Sequence, residues 1–187
     1  MGTEVWRQVT GVHVHQGVVP DAASLFERIR DESWDERMRS RLTASFGVPY
    51  NYNQIEYAER PLPDYLLPLC EIVQNMMQWE PNSVLINLYP DGSSSLGFHS
   101  DQTDIMVPGT GVAIASLGAT RLICFKSKHD DPPRHISVEL NAGSILSMDQ
   151  ACQHYWKHSI PKSTAVTGTR ISLTFRRLLR PGERQRA

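Results

Sequence analysis

Arg170-Ile171-Ser172-Leu173-Thr174-Phe175-Arg176 is the stretch on which the reading of this chain turns. Successive side chains of a strand point to opposite faces, so Ile171, Leu173 and Phe175 form one apolar side. Arg170, Ser172, Thr174 and Arg176 form the other. A strand with an apolar back and two arginines on its front must turn that front either to solvent or to a buried anion. Six steps of strand set the two arginine Cα atoms roughly 20 Å apart. Side chains that each reach about 6–7 Å can converge from there on the two ends of a small dicarboxylate, for which the planar guanidinium fork is suited.

Working back towards the N-terminus, the chain reads as further short strands divided by turn signals. Ser83–Tyr89, Val112–Leu117, Arg121–Phe125, His135–Leu140 and Ser144–Met148 are rich in Val, Ile, Leu and Phe. Pro90-Asp91-Gly92, Pro108-Gly109, Asp131-Pro132-Pro133, Asn141-Ala142-Gly143 and Thr167-Gly168 separate them. Leu85, Asn87 and Tyr89 share one face, which presents an amide and a phenol side by side as donors to a carboxylate. Ahead of the strands, Asp21 is placed to cap a helix to about Trp34, with Leu25, Phe26 and Ile29 on its apolar side. A second helix is expected from Pro63 to Trp79, with Pro68 as a kink or as its first turn. Arg41 to Glu59 reads as strands or a structured loop. Helices followed by many short strands predict an α+β fold: an antiparallel double-stranded β-helix, or jelly roll, with N-terminal helices packed outside. The expected division is 1–80 for helices and a substrate lid, 81–178 for the jelly-roll core and 179–187 for a basic tail.

The bulk properties agree with one globular domain. The chain has 187 residues, 40% hydrophobic and 21% charged, with a formal net charge of -1. It contains no run of 18 or more apolar residues and no apolar segment behind a basic start, so neither a membrane span nor a secretory signal is expected. Cys70, Cys124 and Cys152 form no CxxC pair and are expected as reduced thiols. A cytoplasmic monomer is the expectation, with the nucleus an option in a eukaryote.

His99-Ser100-Asp101 puts an imidazole and a carboxylate two residues apart, hence on one face of an extended chain. The pair is common by chance. It gains weight from His158, which lies 57 positions after Asp101. Two histidines and one carboxylate on one side of an octahedral ion leave three positions open, the facial triad of non-haem Fe(II) oxygenases. His154 competes for the third place. A His154–His158 zinc pair on a helix is the alternative, but Gln153 and Tyr155 supply no glutamate of the kind such proteases use.

Taken in order, these motifs resemble the AlkB family of oxygenases. The similarity runs through Asn87-Leu88-Tyr89 with Asp91-Gly92, His99-Ser100-Asp101 and Ala115-Ser116-Leu117-Gly118. It continues with Trp156-Lys157-His158-Ser159-Ile160-Pro161-Lys162 and the strand from Arg170 to Arg176, covering about Val84 to Leu178. Phe46 to Tyr52 resembles the family's substrate lid more loosely. The resemblance implies Fe(II) on His99, Asp101 and His158. It implies 2-oxoglutarate as cosubstrate on Arg170 and Arg176, helped by Asn87, Tyr89 and Ser172, with dioxygen as oxidant. Ser172 stands where family members often carry Asn. Asp104 lies near an acidic position that reads a base, and Tyr50 and Tyr52 are candidates for stacking on one. The implied reaction couples decarboxylation of 2-oxoglutarate to hydroxylation of a substrate C–H bond; on an N-methyl group it releases formaldehyde.

Two substrate classes follow. One is alkylated nucleic acid, whose target base must be extruded and stacked. The other is a small molecule, an amino acid or a protein side chain. The charge of -1 lacks the basic surplus usual in nucleic-acid binders, although Arg37, Arg39 and Arg41 can contribute locally. The basic cluster from Arg176 to Arg186 reads as a solvated tail.

Overall fold

The computed structural model describes residues 5–51, 55–180 and 182–183. Among these residues ten strands build two antiparallel sheets. β1 (Val12–His15), β2 (Leu42–Gly47), β3 (Ser83–Tyr89), β5 (Val112–Gly118), β8 (Ile145–Met148) and β10 (Arg170–Arg176) form the larger, in the order β1-β8-β5-β10-β3-β2. β4 (Leu96–His99), β6 (Arg121–Ser127), β7 (His135–Leu140) and β9 (Trp156–Ile160) form the smaller, in the order β4-β9-β6-β7. Leu85 and Ile114 from the larger sheet share one buried cluster with Ile123, Phe125 and Val138 from the smaller. The sheets are therefore the two layers of a sandwich, and the jelly roll expected from the sequence is present.

The alternation in β10 now has a physical meaning. Ile171, Leu173 and Phe175 join a second cluster on the outer side of the larger sheet, with Ile29 from α1 (Ala22–Arg30) and Leu69 and Val73 from α2 (Leu67–Met77). Val84, Ile86 and Leu88 of β3 lie there too. The larger sheet is thus apolar towards the helices, and its other face looks into the sandwich. β10 sits between β5 and β3, with Ser172 opposite both Ser116 and Asn87.

Several local expectations are refined. Asp21 caps α1 by accepting from the Ser24 N–H, but the helix stops at Arg30, whose carbonyl accepts from the Trp34 indole. Pro68 stands in the first turn of α2, where its missing N–H has no intrahelical partner to lose, so no kink forms. β1 and β2 pair with β8 and β3, so two strands of the larger sheet come from the first 80 residues. β1, β4 and β9 are short and broken by polar residues or glycine, and a period-2 signal barely registers over such lengths. Gly118 closes the β5–β6 turn at φ 76, where a Cβ would lie 2.4 Å from the Thr169 carbonyl oxygen.

Candidate metal centre and active site

β4 and β9 pair so that His99 lies directly opposite His158. Both imidazoles point inward, their ring centroids 4.3 Å apart. Asp101 follows β4 and turns its carboxylate to the same place. The donor atoms of His99, Asp101 and His158 lie within 4.8 Å of one another. Asp101 and His158 are buried and His99 is partly exposed, so the cluster faces an opening.

The surrounding hydrogen bonds orient each donor. The Gly97 carbonyl can only accept, so at 2.9 Å it requires the proton on His99 Nδ1. That contact turns His99 Nε2 towards Asp101 Oδ1, 3.6 Å away. The other carboxylate oxygen, Oδ2, accepts from Arg176 Nη2 at 2.9 Å and from Nε at 3.3 Å. The Asp101 N–H donates to Gln153 Oε1 at 2.8 Å. Burial pushes the Asp101 carboxyl up, but the Arg176 guanidinium and both imidazoles outweigh it and hold the group far below its ordinary range. Burial, together with His99, drives the His158 imidazolium down to about 3, so the ring is neutral and available as a ligand at neutral pH. Its Nδ1 is buried without a partner. This donor set fits a divalent ion.

His154 does not join the cluster. It sits exposed near the end of α3 (Gln150–Tyr155) beside His129 and Tyr155, while His158 lies on β9. The helical zinc pair is thereby excluded.

The arginines of β10 face inward, not to solvent: Arg170 is 1% exposed and Arg176 4%. Arg170 Nη2 donates to Ser116 Oγ at 3.0 Å, while its Nε and Nη1 have no partner. Burial pushes its guanidinium down to about 10. Asp101 is the one buried carboxylate among the described residues, against four buried arginines, Arg41, Arg121, Arg170 and Arg176. Such an interior suits an anionic guest. Ser172, Asn87 and Tyr89 are buried on the same inner face.

The predicted substrate residues fare unevenly. Tyr50 lines a small cavity with His99, Asp101 and Arg176, but it is 1% exposed. Its ring lies under the Arg176 guanidinium at 3.8 Å, and its hydroxyl accepts from the Gln102 N–H. One ring face is therefore already taken. Asp104 is exposed in the turn beyond the metal cluster and does not line that cavity. Tyr52 lies outside the described residues.

Three roles were missed, that of Arg41 because it was expected as a local basic charge for nucleic acid and is instead buried. Arg41 borders the cavity and donates from Nε to Asn87 Oδ1 at 2.7 Å. Gln153 holds the Asp101 backbone. Arg121 shares an inward face with Ile123 and Phe125, and that alternation was the signal for it.

An antiparallel jelly roll that encloses two histidines, one carboxylate and buried arginines is the plan of a non-haem metal oxygenase with an acidic cosubstrate. The family model for the 2OG-Fe(II) oxygenase superfamily matches residues 20–176. The DNA oxidative demethylase ALKBH2 of Homo sapiens is 31% identical over 153 residues, covering 78% of this chain and 59% of the relative. The alpha-ketoglutarate-dependent dioxygenase alkB homolog 3 of Bos taurus is 31% identical over 180 residues, covering 83% and 61%. The chain belongs to the 2OG-Fe(II) oxygenase superfamily, in its AlkB family. Fe(II), 2-oxoglutarate and dioxygen are the cofactors this membership brings. The chain spans about three fifths of the length of these curated relatives. The solved structure of OsALKBH1 superposes with a TM-score of 0.70 at 17% identity, over 89% of this chain and 96% of that one, which supports the fold. No helix among the described residues is long and apolar enough to cross a membrane.

Proposed function

We propose that this chain is a 2-oxoglutarate-dependent dioxygenase that oxidatively demethylates N-alkylated bases in nucleic acid. The observation that carries the reading is the direct pairing of His99 with His158, beside a carboxylate whose second oxygen is held by Arg176. His99, Asp101 and His158 hold Fe(II). Arg176 binds the end of 2-oxoglutarate nearest the metal and Arg170 the far carboxylate, with Asn87, Tyr89 and Ser172 along the same wall. Bound iron supplies the oxidising power, using dioxygen and the two electrons released when 2-oxoglutarate is decarboxylated to succinate. The protein orients the substrate C–H bond and keeps water out. Hydroxylation of an N-methyl group then releases formaldehyde and the free base nitrogen. Tyr50 backs Arg176 beside the cavity, so Tyr52 and Asp104 are left as candidates for contact with the base, and the lid is drawn from within the first 80 residues. The relatives named as a DNA oxidative demethylase and an alpha-ketoglutarate-dependent dioxygenase support this choice of substrate.

The test is incubation of the Fe(II)-loaded protein with 2-oxoglutarate and oligonucleotides carrying N-methylated bases, with formaldehyde and succinate measured together. Equal amounts of both are expected above the uncoupled background. Succinate that never rises above that background with any methylated base would transfer the reading to a small-molecule or protein hydroxylase.

A further inference from the structure

Arg121 opens β6 and is 2% exposed, yet it forms no ion pair with any described residue. Its acceptors are three main-chain carbonyls: Nη1 donates to Asp91 at 3.0 Å, and Nη2 to Ser94 at 2.8 Å and Pro161 at 2.6 Å. The Asp91 carboxylate is engaged with the Ser93 N–H and hydroxyl and offsets part of the Arg121 charge without forming an ion pair with it. Asp91 and Ser94 lie on the loop from β3 to β4, and Pro161 follows β9. One guanidinium therefore pins two crossovers between the sheets, one leaving the strand of Tyr89 and one leaving the strand of His158.

The same guanidinium lies 5.7 Å from the Tyr89 ring centroid, and that of Arg170 lies 5.3 Å from it. Two buried cations thus share one phenol, and the charge of Arg121 contributes to the lowered proton affinity of Arg170. Neutral carbonyls satisfy hydrogen bonds but not net charge, and in a low-dielectric interior an excess of this kind favours an anion. The N–H groups of Arg170 that lack a partner supply the direct contacts. Arg121 has three of its five N–H groups committed to carbonyls and supplies potential and rigidity.

We propose that Arg121 is a positioning residue of the cosubstrate site: gripped by three carbonyls, it fixes Tyr89 beside Arg170 and makes the far end select a carboxylate. This rests on the reading of the site as one for 2-oxoglutarate. A 2-oxo acid with a second carboxylate is favoured over one with the same chelating head and none.

The experiment measures binding by calorimetry on Mn(II)-loaded protein without dioxygen, with 2-oxoglutarate and pyruvate as probes. Pyruvate has the 2-oxo acid head and lacks the far carboxylate. In Arg121→Met the Kd for 2-oxoglutarate should rise about tenfold, while the Kd values for pyruvate and for Mn(II) stay unchanged. Turnover should show a raised KM for 2-oxoglutarate at constant kcat. Arg121→Lys keeps the charge and should keep the preference for 2-oxoglutarate over pyruvate, which decides the matter even where the Met variant does not fold. Equal weakening of both acids, an unchanged 2-oxoglutarate Kd in the Met variant, or loss of the preference in the Lys variant would overturn the proposal. Wild-type protein that binds Mn(II) but neither acid would instead remove the cosubstrate reading, and this inference with it.

Discussion

Replacing Arg176 by methionine keeps the stem and removes the charge that faces Asp101. The two side chains are 4% and 2% exposed and meet at 2.9 Å, so solvent screens the pair little. Removing one partner of a buried pair leaves an uncompensated charge and costs about 3–5 kcal/mol. At about 2–4 °C per kcal/mol for a domain of this size, Tm should fall by roughly 10 °C. A divalent cation on His99, Asp101 and His158 supplies the missing positive charge. Zn(II) should therefore raise the Tm of Arg176→Met by more than it raises that of the wild type. Scanning calorimetry with and without Zn(II) reads both quantities. A loss below about 1 kcal/mol, the range of exposed pairs, or equal shifts by Zn(II) in both proteins, would refute the reasoning.

Asp101→Ala should abolish Fe(II) binding, followed by calorimetry, and with it turnover; retained activity would dismiss the triad. His154→Ala should leave Fe(II) affinity unchanged while His158→Ala abolishes it, because His154 is exposed at the end of α3. Gln153→Leu deprives the Asp101 N–H of its acceptor, and metal affinity measured by competition should fall about 10–100-fold. Burial, with Glu80 and Glu71 nearby, raises the Cys70 thiol to about 11, and burial with Asp149 and Asp101 raises Cys152 to about 12. Both lie above the ordinary thiol range, so little thiolate exists at pH 8. A disulfide reagent should label them slowly there and rapidly after denaturation, whereas fast native labelling would show the burial to be wrong.

Much of the site was legible because strand alternation is local. The arginine face of β10, the inner face of β3 and the His99–Asp101 pair each follow from a period of two. Membership of the AlkB family was legible from the order of the motifs. Other features were harder to read. β4 and β9 are too short and too polar to announce themselves as strands. Asp104 was placed by its nearness in sequence to Asp101, but the turn after the site carries it to the surface. Tyr50 was read as a stacking residue, and its burial under Arg176 depends on a strand more than a hundred residues away.

The sequence by itself determined which faces are polar, which residue types can bind a metal and a dicarboxylate, and that two arginines stand on one strand. Tertiary structure alone decided the partners. Register set His158 opposite His99 and left His154 outside. Folding also gave one oxygen of Asp101 to Arg176 and turned Arg121 onto three carbonyls from two loops. The reason is that side-chain direction is set within a few residues, whereas register and charge pairing depend on segments far apart in the chain, brought together by the packing of the two sheets.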